Sequence, residues 1–256
     1  HRPAPIQISY LGHPGTTGTN FIDHLLLDEY VVPNKNKKFF TENIINLKGC
    51  YQSTDDKRDI PNKNPRSQYG LPENKFIFCS FNNTYKIQPE IFNAWMEILN
   101  EKKDSVLWLL DANKQAKENL ILMANNKGID KNRIIFSNRV LNSEHIKRQM
   151  CADLFLDTFP ICAHTTASDA LWVGLPLVTM SGKSMVSRVA GSILRNIGMD
   201  ELITHNIRDY KNKALYLANN PKELTRIREK IIENRFKYPL FQTKEFTKNL
   251  EEVYMK

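Results

Sequence analysis

The sequence predicts an α/β protein whose main body is a doubly wound parallel sheet, preceded by the end of a second lobe. Three observations predict it. From about residue 75, short β-rich runs alternate with helical stretches. Each interval between runs is long enough for the crossover helix that parallel pairing requires. Ahead of that region there is one clear strand and too little else for a complete domain.

In chain order, QISYL (7–11) reads as a strand, GHPGTTG as a tight turn and FIDHLLLDEYVV as an apolar segment, and a helix is expected around 39–47. YQSTDDKRDIPNKNPRSQ is polar and contains proline, so it reads as a linker between lobes. The boundary falls near residue 62, leaving 1–61 as the end of one lobe and 62–256 as the other. The second lobe then offers strands at KFIFCSF (75–81), SVLWLLD (105–111), RIIFS (133–137), LFLDTF (154–159) and PLVTM (176–180). Helices are expected between them. PEIFNAWMEILNEK opens with Pro89, NKQAKENLILMANNKG closes at Gly128, NSEHIKRQMCA starts at Asn142 and TTASDALWVG closes at Gly174. After Gly182 come SRVAGSILRNIG and two further helices, the last running through PKELTRIREKIIENRF.

Composition excludes several classes. With 41% apolar and 25% charged residues the chain is globular rather than disordered or fibrous. The net charge of +8 comes from lysines spread along the chain with no dense basic arm, which argues against nucleic acid and suits either an anionic ligand or a solvated surface. Cys50, Cys79, Cys151 and Cys162 show no CxxC pair and no zinc-like spacing, so no metal site is expected and the thiols read as reduced, in a cytoplasmic protein. No run of about 18 apolar residues suggests a membrane span. Trp95, Trp108 and Trp172 lie among apolar neighbours and read as core. The abrupt start on a strand suggests a piece of a longer protein.

Open parallel sheets bind ligands beyond the carboxyl ends of their strands, so the residues that follow each strand carry the functional argument. After LFLDTF the chain reads PICAHTTASDALW, placing His164, Thr165 and Thr166 at the start of a helix. A helix N-terminus presents unpaired N–H groups and the positive end of the dipole, and the threonine hydroxyls add donors, an arrangement that suits a diphosphate. Asp169 lies about one turn further along, where a carboxylate can accept from ribose hydroxyls. Simple helix capping by Thr165 or Thr166 explains the same threonines, and on the residues alone both readings stay open. Asn83 and Lys86 follow KFIFCSF on the same sheet edge, where an ammonium can neutralise phosphate. His145 and Arg148, at i,i+3, share one helix face that either stacks on a base or is ordinary surface. GHPGTTG brings backbone close to a ligand but matches neither the dinucleotide fingerprint nor a P-loop, and an ordinary βα turn explains it equally.

RPAPIQISYLGHPGTTG, RSQYGLPE, FNNTYKIQPE, SVLWLL, NRIIFS, EHIKR, ADLFLDT, HTTASDALWVGLPLVTM and SRVAGS, in this order, cover nearly the whole chain. Together they resemble the catalytic region of the O-linked N-acetylglucosamine transferases, a family that includes bacterial and plant SPINDLY-like proteins. The resemblance implies a GT-B glycosyltransferase with a Rossmann-like C-terminal lobe. It would invert the sugar while moving N-acetylglucosamine from UDP-GlcNAc to Ser or Thr of acceptor proteins, without metal or other cofactor.

On this resemblance Lys86 is the catalytic lysine on the diphosphate, and Asn83, His164, Thr165 and Thr166 complete the phosphate site. Val140, Asn142, His145, Arg148 and Asp169 would surround the uridine and ribose, and Leu11, Gly12 and Pro14 the sugar and acceptor. Asn83 stands where animal members carry Gln and Asn142 where they carry Lys, and the long animal insertion between lobes is absent, as in bacterial-type members. The resemblance also implies that tetratricopeptide repeats and the histidines proposed for catalysis precede His1. Two alternatives stand beside this reading. One is the same fold with GDP-fucose or UDP-glucose, and the other is a non-catalytic nucleotide-binding or protein-interaction module.

Overall fold

The structure is a computed structural model that describes residues 2–255. A small parallel sheet comes first, in the order β1 (Ile8–Ser9), β2 (His24–Leu27), β3 (Asn43–Asn46). Its register runs from His24 opposite Asn43 to Leu27 opposite Asn46. The expected helix at 39–47 is therefore a strand, preceded by a 3₁₀ turn over Asn34–Phe39. The paired isoleucines of Asn43–Asn46 are β-branched and too few for a helical stripe, and the ladder to β2 satisfies their backbone. β1 is shorter than QISYL because Leu11 adopts φ 51°, a left-handed conformation that ends the extended run.

The large sheet is wholly parallel, with spatial order β6-β5-β4-β7-β8-β9. Its strands are β4 (Phe76–Ser80), β5 (Ser105–Leu110), β6 (Ile134–Ser137), β7 (Leu154–Leu156), β8 (Leu177–Met180) and β9 (Ile203–Thr204). The crossovers hold α1 (Pro89–Glu101), α2 (Lys114–Asn126), α3 (Asn142–Gln149), α4 (Thr165–Trp172) and α5 (Val189–Arg195). Strands 4 to 6 build outward in one direction and 7 to 9 in the other, so the order reverses between β4 and β7. The crevice at that reversal is where open α/β sheets hold ligands. β5 is buried along its entire length, as expected of a strand covered on both faces.

After the sheet come α6 (Ile207–Asn219), α7 (Pro221–Asn234) and α8 (Thr243–Tyr254). The tail thus has one helix more than expected. α8 buries Asn249 and leans Phe246, Leu250 and Val253 on the core, an i, i+4, i+7 stripe that the sequence carries and that the expected tail left out. The three tryptophans are fully buried, as expected.

The small sheet is seated on the large one through polar pins. Asp28, after β2, accepts from Ser192 Oγ of α5 at 2.6 Å and from the Tyr51 amide at 3.1 Å. The Tyr30 hydroxyl donates to Ser181 Oγ at 3.0 Å, and its ring lies so close to Gly191 of α5 that a Cβ there would meet it at 2.6–2.9 Å. The segment expected as a linker has no regular structure over 51–65 but is not loose, because Tyr51 and Gln52 are buried and Arg58 bonds to α4.

Candidate functional site at the strand-order reversal

β7 stops at Leu156 because the next residue turns its carboxylate inward to organise the following loop. Asp157 is 1% exposed. Its Oδ1 accepts from the amides of Thr158 and Ala163, both at 2.7 Å, and from Asn82 Nδ2 at 3.0 Å, while Oδ2 accepts from Thr179 Oγ1 at 2.7 Å. Burial pushes this carboxyl up to about 6 against the pull of those donors and the charge on Lys86, so it is largely ionised at neutral pH. One side chain thereby ties β4, β7, β8 and the 158–163 loop together, and that loop delivers His164 to the start of α4.

His164 occupies the N-cap position of α4 without using its side chain as a cap. Its Nε2 is buried with no hydrogen-bond partner among the described residues. Burial and the nearby Lys86 charge push its pKa down to about 4, which leaves a neutral imidazole at pH 7. Lys86 stands at the end of a 3₁₀ turn (Thr84–Lys86) beyond β4, and its Nζ donates to the Cys162 carbonyl at 3.0 Å. Thr165 is exposed, whereas the Thr166 hydroxyl donates its proton to Asn82 Oδ1 at 2.6 Å. Asn83 is the N-cap of the Lys86 turn and caps nothing with its side chain.

A cavity of about 490 Å³ opens over the N-terminus of α4 between the two sheets. Leu11, Gly12 and Pro14 line it from the small sheet, Asn142, His164, Thr165 and Asp169 from the large one, and residues 51–55 with Arg58 from the connecting segment. Leu11, in the loop at its mouth, is the one non-glycine residue among those described with positive φ. The loop's far end is pinned by Glu42, which accepts from Thr16 Oγ1 at 2.7 Å, the Thr17 amide at 2.6 Å and Thr17 Oγ1 at 2.5 Å. Asp169 is 3% exposed; burial raises its pKa, while the charge and hydrogen bond of Arg58 and the amide of Asn142 pull it back down.

Lys86, Asn83, Thr166, Val140, His145 and Arg148 are not among the residues that line this cavity. Val140 is partly exposed just before Asn142. His145 and Arg148 do share a face of α3, where Arg148 is spent on holding His145 through its Nδ1. Arg148, 2% exposed, donates to His145 Nδ1 at 3.1 Å and to the Asn138 carbonyl at 2.7 Å and stacks on Phe81 at 4.6 Å. Arg148 thus props His145, whose pKa burial and that guanidinium push down to about 4.

Sequence reasoning missed Asp157, Gln52 and Arg58. Asp157 sat inside the expected strand 154–159, and reading the strand as ending at its first polar residue would have exposed it. Nothing in a polar, proline-containing stretch marks Arg58 or Gln52. Among the described residues no group of three or more His, Cys, Asp or Glu is placed to hold a metal, and no helix is long and apolar enough to cross a membrane.

Comparison with known proteins fits this geometry. Glycosyl transferase family 41 matches residues 1–64 and 58–250. The relative in Arabidopsis thaliana named "Probable UDP-N-acetylglucosamine--peptide N-acetylglucosaminyltransferase SEC" is 41% identical over 263 residues, covering 100% of this chain and 27% of its own length. The UDP-N-acetylglucosamine–peptide N-acetylglucosaminyltransferase of Caenorhabditis elegans is 38% identical over 76% of this chain and 17% of its own. A mutant O-GlcNAc transferase of Thermobaculum terrenum superposes with a TM-score of 0.90 at 27% identity, over 99% of this chain and 48% of that one. The chain therefore spans about a quarter of the length of its first plant relative. The two parallel sheets facing each other across the cavity form the GT-B arrangement. In sequence and in architecture alike, the chain belongs to glycosyl transferase family 41.

Proposed function

We propose that the chain carries the donor site of an inverting, metal-independent glycosyltransferase that moves N-acetylglucosamine from UDP-GlcNAc to Ser or Thr hydroxyls of cytoplasmic proteins. The observation that carries this reading is the convergence, at the β4/β7 reversal, of Lys86, a half-buried neutral His164 whose buried Nε2 is unpartnered and the N-terminus of α4. As the glycosidic bond breaks, the diphosphate gains charge, and donors already aimed at it stabilise the transition state more than the ground state. Lys86 supplies fixed positive charge. His164 supplies a hydrogen bond without a second charge. The α4 amides and the Thr165 hydroxyl supply neutral donors, and Asp169 accepts from the ribose. The Thr166 hydroxyl acts through Asn82, holding the helix start in place. Leu11, Gly12 and Pro14 face the sugar and the acceptor, and Val140, Asn142 and His145 border the uracil. The groups that activate the acceptor hydroxyl are assigned to the rest of the protein.

The test is calorimetric titration of the chain with UDP, followed by a thermal-shift panel of UDP-GlcNAc, UDP-glucose and GDP-fucose. UDP is expected to bind, Lys86→Ala to weaken it by about tenfold or more, the scale of a lost charge-assisted contact, and UDP-GlcNAc to give the largest shift. A folded chain with no affinity for UDP refutes the proposal, and a larger shift with GDP-fucose reassigns the sugar.

A further inference from the structure

Arg58 belongs to the connecting segment, yet its guanidinium lies in the wall of the donor cavity. Nη1 donates to Asp169 Oδ1 at 2.5 Å, Nε donates to the Asp55 carbonyl at 3.1 Å, and the planar group rests on the Trp172 ring at 4.9 Å. These contacts fix its position from three sides. The other terminal nitrogen, Nη2, has no hydrogen-bond partner among the described residues. Both members of the pair are largely withdrawn from solvent, with side-chain exposures of 16% and 5%.

A buried carboxylate without a counter-ion gives up its charge or swings away, and in either case it is a poorer acceptor for hydroxyls. A carboxylate has about four acceptor sites, of which Arg58 and the Asn142 amide take at most two. The pair therefore favours the charged form of Asp169 against its burial, orients it and leaves it spare acceptor capacity toward the cavity. The same segment adds Gln52, which donates to Ser168 Oγ of α4 at 3.3 Å and keeps a buried Oε1 unpartnered.

We propose that Arg58 is a positioning residue of the donor site: it holds the Asp169 carboxylate in place to accept the ribose hydroxyls of a nucleoside diphosphate, which makes segment 51–58 a working wall of the pocket rather than a tether. This rests on the donor-site reading above. Its signature is selective, because losing Arg58 weakens a ribonucleotide more than an analogue without ribose hydroxyls. A merely structural role weakens both alike.

The experiment titrates the chain and its Arg58→Met, Arg58→Lys and Asp169→Asn variants with UDP and with 2′,3′-dideoxy-UDP. Methionine keeps an apolar stem over Trp172, and thermal unfolding of each variant reports folding. The unsubstituted chain is expected to prefer UDP by tenfold or more, the scale of hydrogen bonds to a charged group. Arg58→Met and Asp169→Asn are expected to lower UDP affinity toward that of the dideoxy analogue with little change in the latter, and Arg58→Lys to restore part of the preference. If Arg58→Met unfolds, the lysine variant decides: a partial preference supports the proposal and an undiminished one overturns it. An unchanged preference in a folded Arg58→Met variant, with UDP still bound, overturns this inference alone. Failure of the unsubstituted chain to bind UDP overturns the donor-site reading on which it rests.

Discussion

Replacing Asp157 by alanine removes the acceptor that organises the end of β7. Four donors lose this acceptor: the amides of Thr158 and Ala163, Thr179 Oγ1 and Asn82 Nδ2, the last of which also donates to Thr158 Oγ1. The last two can rotate toward other acceptors, but the amides are held by the backbone of a buried loop. At about 1–3 kcal/mol for each orphaned buried donor, the two amides alone cost about 2–6 kcal/mol, a large share of a typical total of about 5–15 kcal/mol. For a chain of this size that corresponds to a fall in Tm of roughly 10 °C. Urea unfolding followed by circular dichroism, with thermal melts in parallel, measures both. Asp157→Asn keeps an acceptor oxygen for the loop amides and is expected to lose less than half as much. The alanine variant should also bind UDP more weakly, because the loop carrying His164 loses its anchor. A loss below about 1 kcal/mol, or an asparagine variant as damaged as the alanine one, would refute the assignment of Asp157 as the organiser of this loop.

Two further expectations concern how the small sheet serves the pocket. Burial acts to raise the Glu42 carboxyl, but the hydrogen bonds from Thr17 and Thr16 outweigh it and hold it down at about 2, below its ordinary 4.5. A depressed acid stabilises the fold above its unfolded pKa, so this contribution is present above pH 4.5 and lost as pH falls from there through about 2. Urea midpoints taken across that range should drop for the unsubstituted chain and change less for Glu42→Gln, which starts lower at neutral pH. Equal slopes would show that the bonds to Thr16 and Thr17 carry no stability. Gly191→Ala would place a methyl 2.6–2.9 Å from the Tyr30 ring, which cannot yield freely because Arg188 stacks on it at 4.5 Å and Ser181 accepts from its hydroxyl. A loss of about 1–3 kcal/mol from overpacking is expected, with recovery in the Gly191→Ala/Tyr30→Leu double variant. Equal stability of the single variant and the parent would show that the contact relaxes without cost.

Much of the large lobe was legible in the residues because it is local. Phe76–Ser80, Ser105–Leu110 and Leu177–Met180 are short, mainly apolar runs, and Pro89 and Gly128 mark where helices open and close. Such signals act over a few residues and survive in the fold. The same holds for His164 and Thr165, which follow a strand and open a helix and so must stand at the sheet edge. One exception was a short element: Asn43–Asn46 is a strand only because β2 lies beside it. Thr243–Tyr254 was the other, although its Phe246, Leu250 and Val253 stand at helical spacing and pack on the core.

Which polar groups are free and which are spent depends on the packed fold. Arg148 looked available for a base and is buried under His145; Thr166 looked available for phosphate and gives its proton to Asn82. Arg58 looked like solvated linker and pairs with Asp169, 111 residues away. The order of elements from β4 to β8 and the residues at that sheet edge could be read from the residues alone, because periodicity and capping are properties of neighbours along the chain. The pocket's wall and the partners of its charges depend on contacts between distant segments, whose loop-closure entropy and desolvation are settled only when the whole chain packs.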